Sequence, residues 1–190
     1  MSDKVREWLV WIAAALLVAV ITHVVVLGMV PHLVMGRLLS PMGRPNRILF
    51  DKRVDASVHG VVRPSPDLLY SSCPFDLSVG PLRVRSPVSP GTYWSVALYD
   101  DDTNNFYTLN DRQAGNGVVD FVIELDEPDR DQAATLEGMR IVRSPTTKGL
   151  VLFRTLINSE KNFALVDAIR RQATCGTFHA SLNDVSSKGG

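Results

Sequence analysis

The stretch Arg63–Asp111, RPSPDLLYSSCPFDLSVGPLRVRSPVSPGTYWSVALYDDDTNNFYTLND, decides the fold. Its opening, Arg63-Pro64-Ser65-Pro66-Asp67, is a rigid extended turn, because each proline fixes its own φ, lacks an N–H and pushes the preceding residue to extended geometry. Asp67-Leu68-Leu69-Tyr70-Ser71 follows, and Asp76-Leu77-Ser78-Val79-Gly80-Pro81 is a second turn-rich stretch. Leu82–Arg85 alternates as a short strand, which Ser86–Gly91 closes with two prolines and a glycine. Thr92–Tyr99 is the clearest strand: Trp94, Val96 and Leu98 share one face, and Tyr93, Ser95, Ala97 and Tyr99 the other. Asp100–Asn105 is a hairpin-type connection and Phe106–Leu109 the returning strand.

Downstream, Val118–Leu125 alternates with Val119, Phe121, Ile123 and Leu125 on one face. Asp126–Gly138 is acidic and loop-like. Met139–Arg143 and Leu150–Leu156, joined by Ser144–Gly149, read as a hairpin. Asn158 or Ser159 caps a helix running to about Thr174, with Phe163, Val166, Ile169 and Ala173 on one stripe and Gly176 as its stop. Upstream, Ile48–Val62 carries short apolar groups able to supply a strand or two. The pattern is a mainly β domain, a β-sandwich or jelly-roll-like fold with one C-terminal helix.

Trp8–Val30 is an apolar run of 23 residues interrupted by Thr22 and His23. A helix of that length spans about 34 Å, enough for a bilayer core. It contains thirteen Leu, Ile and Val residues, and Trp8 and Trp11 stand where interfacial rings belong. The run predicts a single N-terminal transmembrane helix. A cleaved signal peptide is the rival reading, but its apolar core is usually about 7–15 residues and needs a small-x-small site, whereas Pro31 follows this run directly. Lys4 and Arg6 before the run, against His32, Arg37 and Arg44 after it, leave orientation undecided by charge. The organisation expected is a tail over 1–7, the span over 8–30, a juxtamembrane linker or amphipathic stalk over 31–60, the β-domain over 61–176 and a polar tail over 177–190.

The chain carries 20 basic and 20 acidic residues, and this zero net charge gives no reason to expect nucleic acid as a partner. The charge is uneven, with a local excess of four positive charges over Arg37–Arg63 and of nine negative charges over Asp100–Glu137. The basic juxtamembrane residues suit an anionic surface. Two cysteines, Cys73 and Cys175, both lie beyond the anchor; an oxidising compartment lets them pair, and two buried free thiols are the alternative.

The blocks R-P-x-P-D-x-L-Y-S, D-L-S-x-G-P, G-x-Y-W-S-V-x-L-Y-D and T-N-x-F, in that order, resemble the bacterial domain-of-unknown-function family 1254 (DUF1254), in a short membrane-anchored form. The likeness covers about Val61–Cys175, with Ser65-Pro66 standing where the family has an Asn in its P-N-x-D block. It implies a β-structured envelope protein, often encoded with or fused to a second β-domain of unknown function, DUF1214. That places the anchor in a bacterial inner membrane, with the soluble domain on the periplasmic side.

No G-x-S-x-G, H-E-x-x-H, C-x-x-C or phosphate-binding loop is present, so no motif-readable catalytic class or cofactor is supported. The acidic turn at Asp100–Asp102 lacks EF-hand spacing and reads as a solvated turn rather than a calcium site. Cys73 as a nucleophile with His59 or His179 is the weaker catalytic alternative. The candidate ligand-binding set is Arg63, Asp67, Tyr70, Asp76, Tyr93, Trp94, Asn110 and Asp111. Rings beside carboxylates and amides at strand ends offer flat apolar faces and orienting polar groups to a sugar or other polar ligand. The bland reading of the same residues is ion pairs, core and turn closure. Two functions follow: a binding or assembly module contacting an envelope glycan, a lipid or a partner β-domain, or a hydrolase using Asp67, Tyr70 and Asp76.

Overall fold

The computed structural model describes residues 2–54, 64–115, 117–126 and 140–178. A long helix α1 (Asp3–Leu39) precedes strands β1 (Leu49–Phe50), β2 (Leu68–Asp76), β3 (Leu82–Pro87), β4 (Trp94–Asp100) and β5 (Asn105–Asn110). The short helix α2 (Asp111–Ala114), β6 (Val118–Leu125), β7 (Arg140–Ser144), β8 (Lys148–Leu156), α3 (Glu160–Arg170) and β9 (Thr174–Thr177) follow. The strands form two sheets, β1-β2-β8-β4-β5 and β7-β6-β3-β9, so the domain is the two-sheet sandwich that the alternation predicts and not a closed barrel.

The core lies between the sheets. Cys73, Phe75, Trp94, Val96, Leu98, Val151 and Phe153 enter it from the first sheet, and Leu82, Val84, Val119, Phe121 and Ile123 from the second. The period-2 placement of these residues is what fixes register, since a one-residue slip would turn each apolar set outward. Cys73 on β2 and Cys175 on β9 form a disulfide across the two sheets, with Cα atoms 6.5 Å apart and a sequence separation of 102. Gly149 permits a close approach on the inner side of β8: a Cβ there would overlap the Tyr99 carbonyl oxygen and the Phe75 ring.

Strand β2 has no clear signature in the sequence, because Ser71, Ser72 and Pro74 interrupt its apolar pattern. It is nevertheless paired along its whole length with β8, from Leu68 with Leu156 to Asp76 with Lys148. Pro74 costs no bond of that ladder. Its carbonyl accepts from the Asn46 N–H, so the missing donor points to the opposite side, past the end of β1. Asn46, at a φ of 60°, then completes this edge: its side-chain Nδ2 donates to the Asp76 carbonyl and its Oδ1 accepts from the Asp76 N–H, both at 2.9 Å.

Two connections differ from the expectation. β7 and β8 are not a hairpin: β7 pairs parallel with β6 in one sheet, and β8 pairs with β2 and β4 in the other. Their Ser144–Lys148 link arches between the sheets, and turn chemistry is the same for an arch as for a hairpin. The C-terminal helix stops at Arg170, and Thr174–Thr177 pairs with Leu82–Arg85 as an edge strand. Helix α3 packs Phe163 and Val166 on Leu69 and Ile157 at one end of the sandwich.

The apolar run lies within α1, which continues through Pro31 to Leu39 and passes by a 3-10 turn at Ser40–Met42 into the strand region. This helix is long and apolar enough to cross a membrane. Segment 31–60, read as a juxtamembrane linker or amphipathic stalk, begins as the last turns of α1. Arg63, Val58, Val61, Val62, His59, His179, most of Asp126–Gly138 and the tail beyond 178 lie outside the described residues.

Candidate functional site

The sandwich has two unlike ends. At one, three loops converge: the β3–β4 connection, the β5–α2 junction and the β8–α3 junction. They enclose a cleft of about 620 Å³ lined by Val88, Ser89, Gly91, Thr92, Tyr93, Asn110, Asp111, Arg112 and Asn158. The floor is knit by Asn158, whose Nδ2 donates to the Gly91 carbonyl at 2.8 Å while its Oδ1 lies 2.9 Å from the Thr92 hydroxyl. That hydroxyl also donates to the Leu156 carbonyl at 2.8 Å. Asn110 caps α2: its Oδ1 accepts from the Gln113 N–H at 3.0 Å and its own N–H donates back to Gln113 Oε1 at 3.2 Å, a reciprocal capping box.

Several groups of the cleft remain unspent. Tyr93 is 41% exposed, and Asp111 and Arg112 form no ion pair among the described residues. Asn110 uses its oxygen and its backbone for the cap, leaving the Nδ2 donors free among the described residues. Ser89 is buried with an Oγ that has no hydrogen-bond partner among the described residues. A flat ring, an amide donor, a carboxylate and a guanidinium thus stand around one water-accessible concavity. This set can stack on and hydrogen-bond a hydroxyl-rich or otherwise polar ligand.

Of the residues singled out in the sequence, the cleft brings together Tyr93, Asn110 and Asp111. Trp94 is elsewhere: it is 2% exposed and fills the core against Phe153, with ring centroids 6.4 Å apart. Tyr70 is half-buried on β2, its hydroxyl accepting from the Ser65 N–H at 3.0 Å. Asp67 is exposed in the turn before β2, where its carbonyl accepts from the Ile157 N–H.

Asp76 stands at the far end of the same strand. It caps the 3-10 turn Leu77–Val79, its Oδ1 accepting from the Ser78 N–H and hydroxyl at 2.9 and 2.6 Å. Burial acts to raise its pKa, but the two Ser78 hydrogen bonds and the Lys148 charge outweigh it and hold the carboxyl below the ordinary value. Leu68 to Asp76 is eight extended steps, about 26 Å. Asp67 and Asp76 therefore cannot converge on one bond, and the geometry does not favour the hydrolase built on Asp67, Tyr70 and Asp76. Cys73, the other candidate nucleophile, is held in the disulfide.

The acidic turn at Asp100–Asp102 is organised from within. Asp100 is buried, and its Oδ1 accepts from the Asp102 and Asn104 N–H groups at 3.0 and 2.8 Å while Oδ2 accepts from Asn104 Nδ2 at 3.1 Å. Thr103 takes the left-handed conformation at φ 67° that closes the turn.

The profile described as a protein of unknown function, DUF1254, matches residues 45–177. The chain belongs to the DUF1254 family. No curated protein matches it. Among solved structures it is similar to the VPA0106 protein from Vibrio parahaemolyticus, at a TM-score of 0.59 and 15% identity over 84% of this chain and 36% of that one. An uncharacterized protein from Burkholderia cenocepacia aligns at a TM-score of 0.47 and 16% identity, over 78% of this chain and 41% of that one. The chain thus spans well under half the length of either. The Vibrio likeness bears on the fold, which this DUF1254 protein shares with part of that longer chain.

Ser89, Thr92, Arg112 and Asn158 were not distinguishable in the sequence of this DUF1254 chain. They come from three loops that only the sandwich brings into one place. The one local signal was Asn110-Asp111-Arg112-Gln113, whose N-cap residue followed three positions later by Gln is a helix-start pattern.

Proposed function

We propose that this DUF1254 protein is a membrane-anchored envelope module that binds a hydroxyl-rich envelope ligand, of the glycan type, in the cleft at Tyr93, Asn110, Asp111 and Arg112. One observation carries the reading: Tyr93, Asp111 and Arg112 line a single concavity while making no ion pair or side-chain hydrogen bond within the described residues, which is where binding groups differ from structural ones. Helix α1 supports the anchor by its length and apolarity. The disulfide supports an oxidising compartment, and with it a domain on the periplasmic side of a bacterial inner membrane.

Tyr93→Ala and Arg112→Ala separate binding from folding, since neither side chain holds another element in place. Full-length protein in detergent, passed over immobilised envelope oligosaccharides, is expected to be retained. Each variant is expected to lose about tenfold in affinity, or about 1.4 kcal/mol, at an unchanged unfolding midpoint. Equal retention of wild type and both variants removes the cleft from the account.

A second reading makes the domain an assembly partner for a separate β-domain of the DUF1214 type. What favours it is that the Vibrio protein carries the same fold within a chain of which this one covers 36%. Co-purification of such a domain with the full chain, abolished by substitutions on the sheet edges and not in the cleft, would support it.

A further inference from the structure

We infer that the end of the sandwich opposite the cleft is seated on the headgroup layer of the bilayer, so that the cleft opens away from the membrane and takes its ligand from the aqueous side. This rests on the reading that α1 spans the bilayer, and it deepens the proposed function by restricting where the ligand comes from.

The placement starts at His32. With Val30, the end of the apolar run Trp8–Val30, at the hydrocarbon edge, it lies two residues and so about 3 Å further along the helix axis. The headgroup zone of each leaflet is about 5–7 Å deep, which puts His32 within it. Its imidazole touches the tip of the β4–β5 hairpin: Nε2 lies 3.0 Å from Asp102 Oδ1 and Nδ1 lies 3.4 Å from Asp101 Oδ2. Three residues on, Met35 is 2% exposed, so the last turns of α1 are packed rather than free in solvent.

A second attachment lies across the width of the same sheet. Asn46 holds the end of β2 through Pro74 and Asp76, and β8 stands between β2 and β4 in the sheet order. Two fastenings on different strands at the same end turn that whole end toward the helix. The cleft is at the other end: from Asp100 to Trp94 the chain takes six extended steps along β4, about 20 Å.

Three arginines beside the end of α1 fit anionic headgroups. Arg37, Arg44 and Arg47 are exposed there and make no ion pair among the described residues, whereas Lys148 lies 4.0 Å from Asp76. Of the carboxylates at this end, Asp101 and Asp102 face His32, Asp100 is bonded within its turn, Asp76 meets Ser78 and Lys148, and Asp126 is exposed beside Ser144. Arg37, Arg44 and Arg47 are therefore the groups placed to meet the bilayer surface, and the partner chemistry is the phosphate of an anionic lipid headgroup.

The test uses the full chain inserted in vesicles of phosphatidylcholine with or without phosphatidylglycerol. Single fluorophores go on Val18→Cys, Thr103→Cys or Asp67→Cys, with both native cysteines held in their disulfide. Acyl-chain brominated lipid is expected to quench the Val18→Cys label, which reports spanning. Headgroup-nitroxide lipid is expected to remove most of the Thr103→Cys emission and to leave the Asp67→Cys emission intact. The Thr103→Cys quenching is expected to weaken when the anionic lipid is omitted. A quenched Val18→Cys label with Thr103→Cys no more quenched than Asp67→Cys overturns the seated end while keeping the anchor. Thr103→Cys quenching that ignores lipid charge overturns the role of the basic residues. An unquenched Val18→Cys label overturns the spanning reading itself and the inference with it.

Discussion

Replacing Arg170 by methionine tests how the C-terminal helix is fastened to the sandwich. The guanidinium is 5% exposed and makes five contacts. Its Nε and Nη2 donate to Asp167 Oδ1 at 2.8 and 2.6 Å, Nη1 to the Tyr70 carbonyl at 2.6 Å and to the Ser71 hydroxyl at 3.2 Å, and Nη2 also to the Asp51 carbonyl at 2.9 Å. One side chain thus ties α3 to β2 and to the segment after β1, with its charge 5.7 Å from the Phe50 ring centre. Methionine keeps much of the volume and donates nothing. Breaking a buried pair by removing one partner costs about 3–5 kcal/mol.

Two details set the expectation at the low end of that range. Asp167 keeps Arg171, whose Nε lies 2.8 Å from Oδ2, and the Tyr70 carbonyl still accepts from the Asp51 N–H. The expected loss is therefore about 3 kcal/mol. Urea unfolding of the full chain in micelles, followed by the emission of buried Trp94, measures it, with Arg171→Met as the control. Arg171 meets the same carboxylate from an exposed position, so its loss is expected below about 1 kcal/mol. An Arg170→Met loss within about 0.5 kcal/mol, the range of an unengaged surface site, refutes the fastening.

Reducing the Cys73–Cys175 disulfide opens a loop of 102 residues and is expected to lower stability by up to about 4.7 kcal/mol, read as a shift of the denaturant midpoint with and without reductant. Gly149→Ala drives a methyl into the Tyr99 carbonyl and the Phe75 ring and is expected to cost about 1–3 kcal/mol in the same titration; a neutral result would show that the two strands part easily there. Acid is expected to weaken the fold through three carboxylates. Asp120 is held below the ordinary 3.8 by the bidentate Arg83 hydrogen bonds against the opposing effect of burial. Asp167 and Asp76 are also held below it, because their Arg171 and Arg170, or Ser78 and Lys148, partners outweigh burial. A depressed folded-state pKa gives stability that is present above the unfolded value and lost as pH falls through the folded one, so the loss should begin near pH 3.8 and continue below it. Asp51, raised by desolvation against the Arg170 charge, acts in the opposite sense. Arg83→Gln should flatten part of the acid limb; an unchanged limb would remove Asp120 from the account.

The sandwich was legible where large apolar residues recur at every second position of a strand. Trp94, Val96 and Leu98 against Tyr93 and Tyr99, and Val119, Phe121 and Ile123 against Asp120 and Glu124, write their period into the residues. β2 was hidden because its ladder tolerates Pro74 and its buried Ser71 and Ser72 look like loop. β9 was hidden because four small residues form an edge strand only through the backbone of β3. The arch at Ser144–Lys148 looked like a hairpin because local turn chemistry does not say which sheet the next strand joins. The same limit applies to the cleft. Asn110 advertises a helix cap, but nothing near Arg112 or Asn158 in sequence tells that Tyr93 stands across from them.

Carboxylate and tyrosine footprinting of the full-length protein, with and without soluble envelope oligosaccharides, tests the cleft most directly. The account predicts that Asp111 and Tyr93 become protected while Asp67, at the same end but outside the cleft, and Asp102, at the opposite end, keep their reactivity. Protection of Asp67 or Asp102 with Asp111 and Tyr93 unchanged would contradict it.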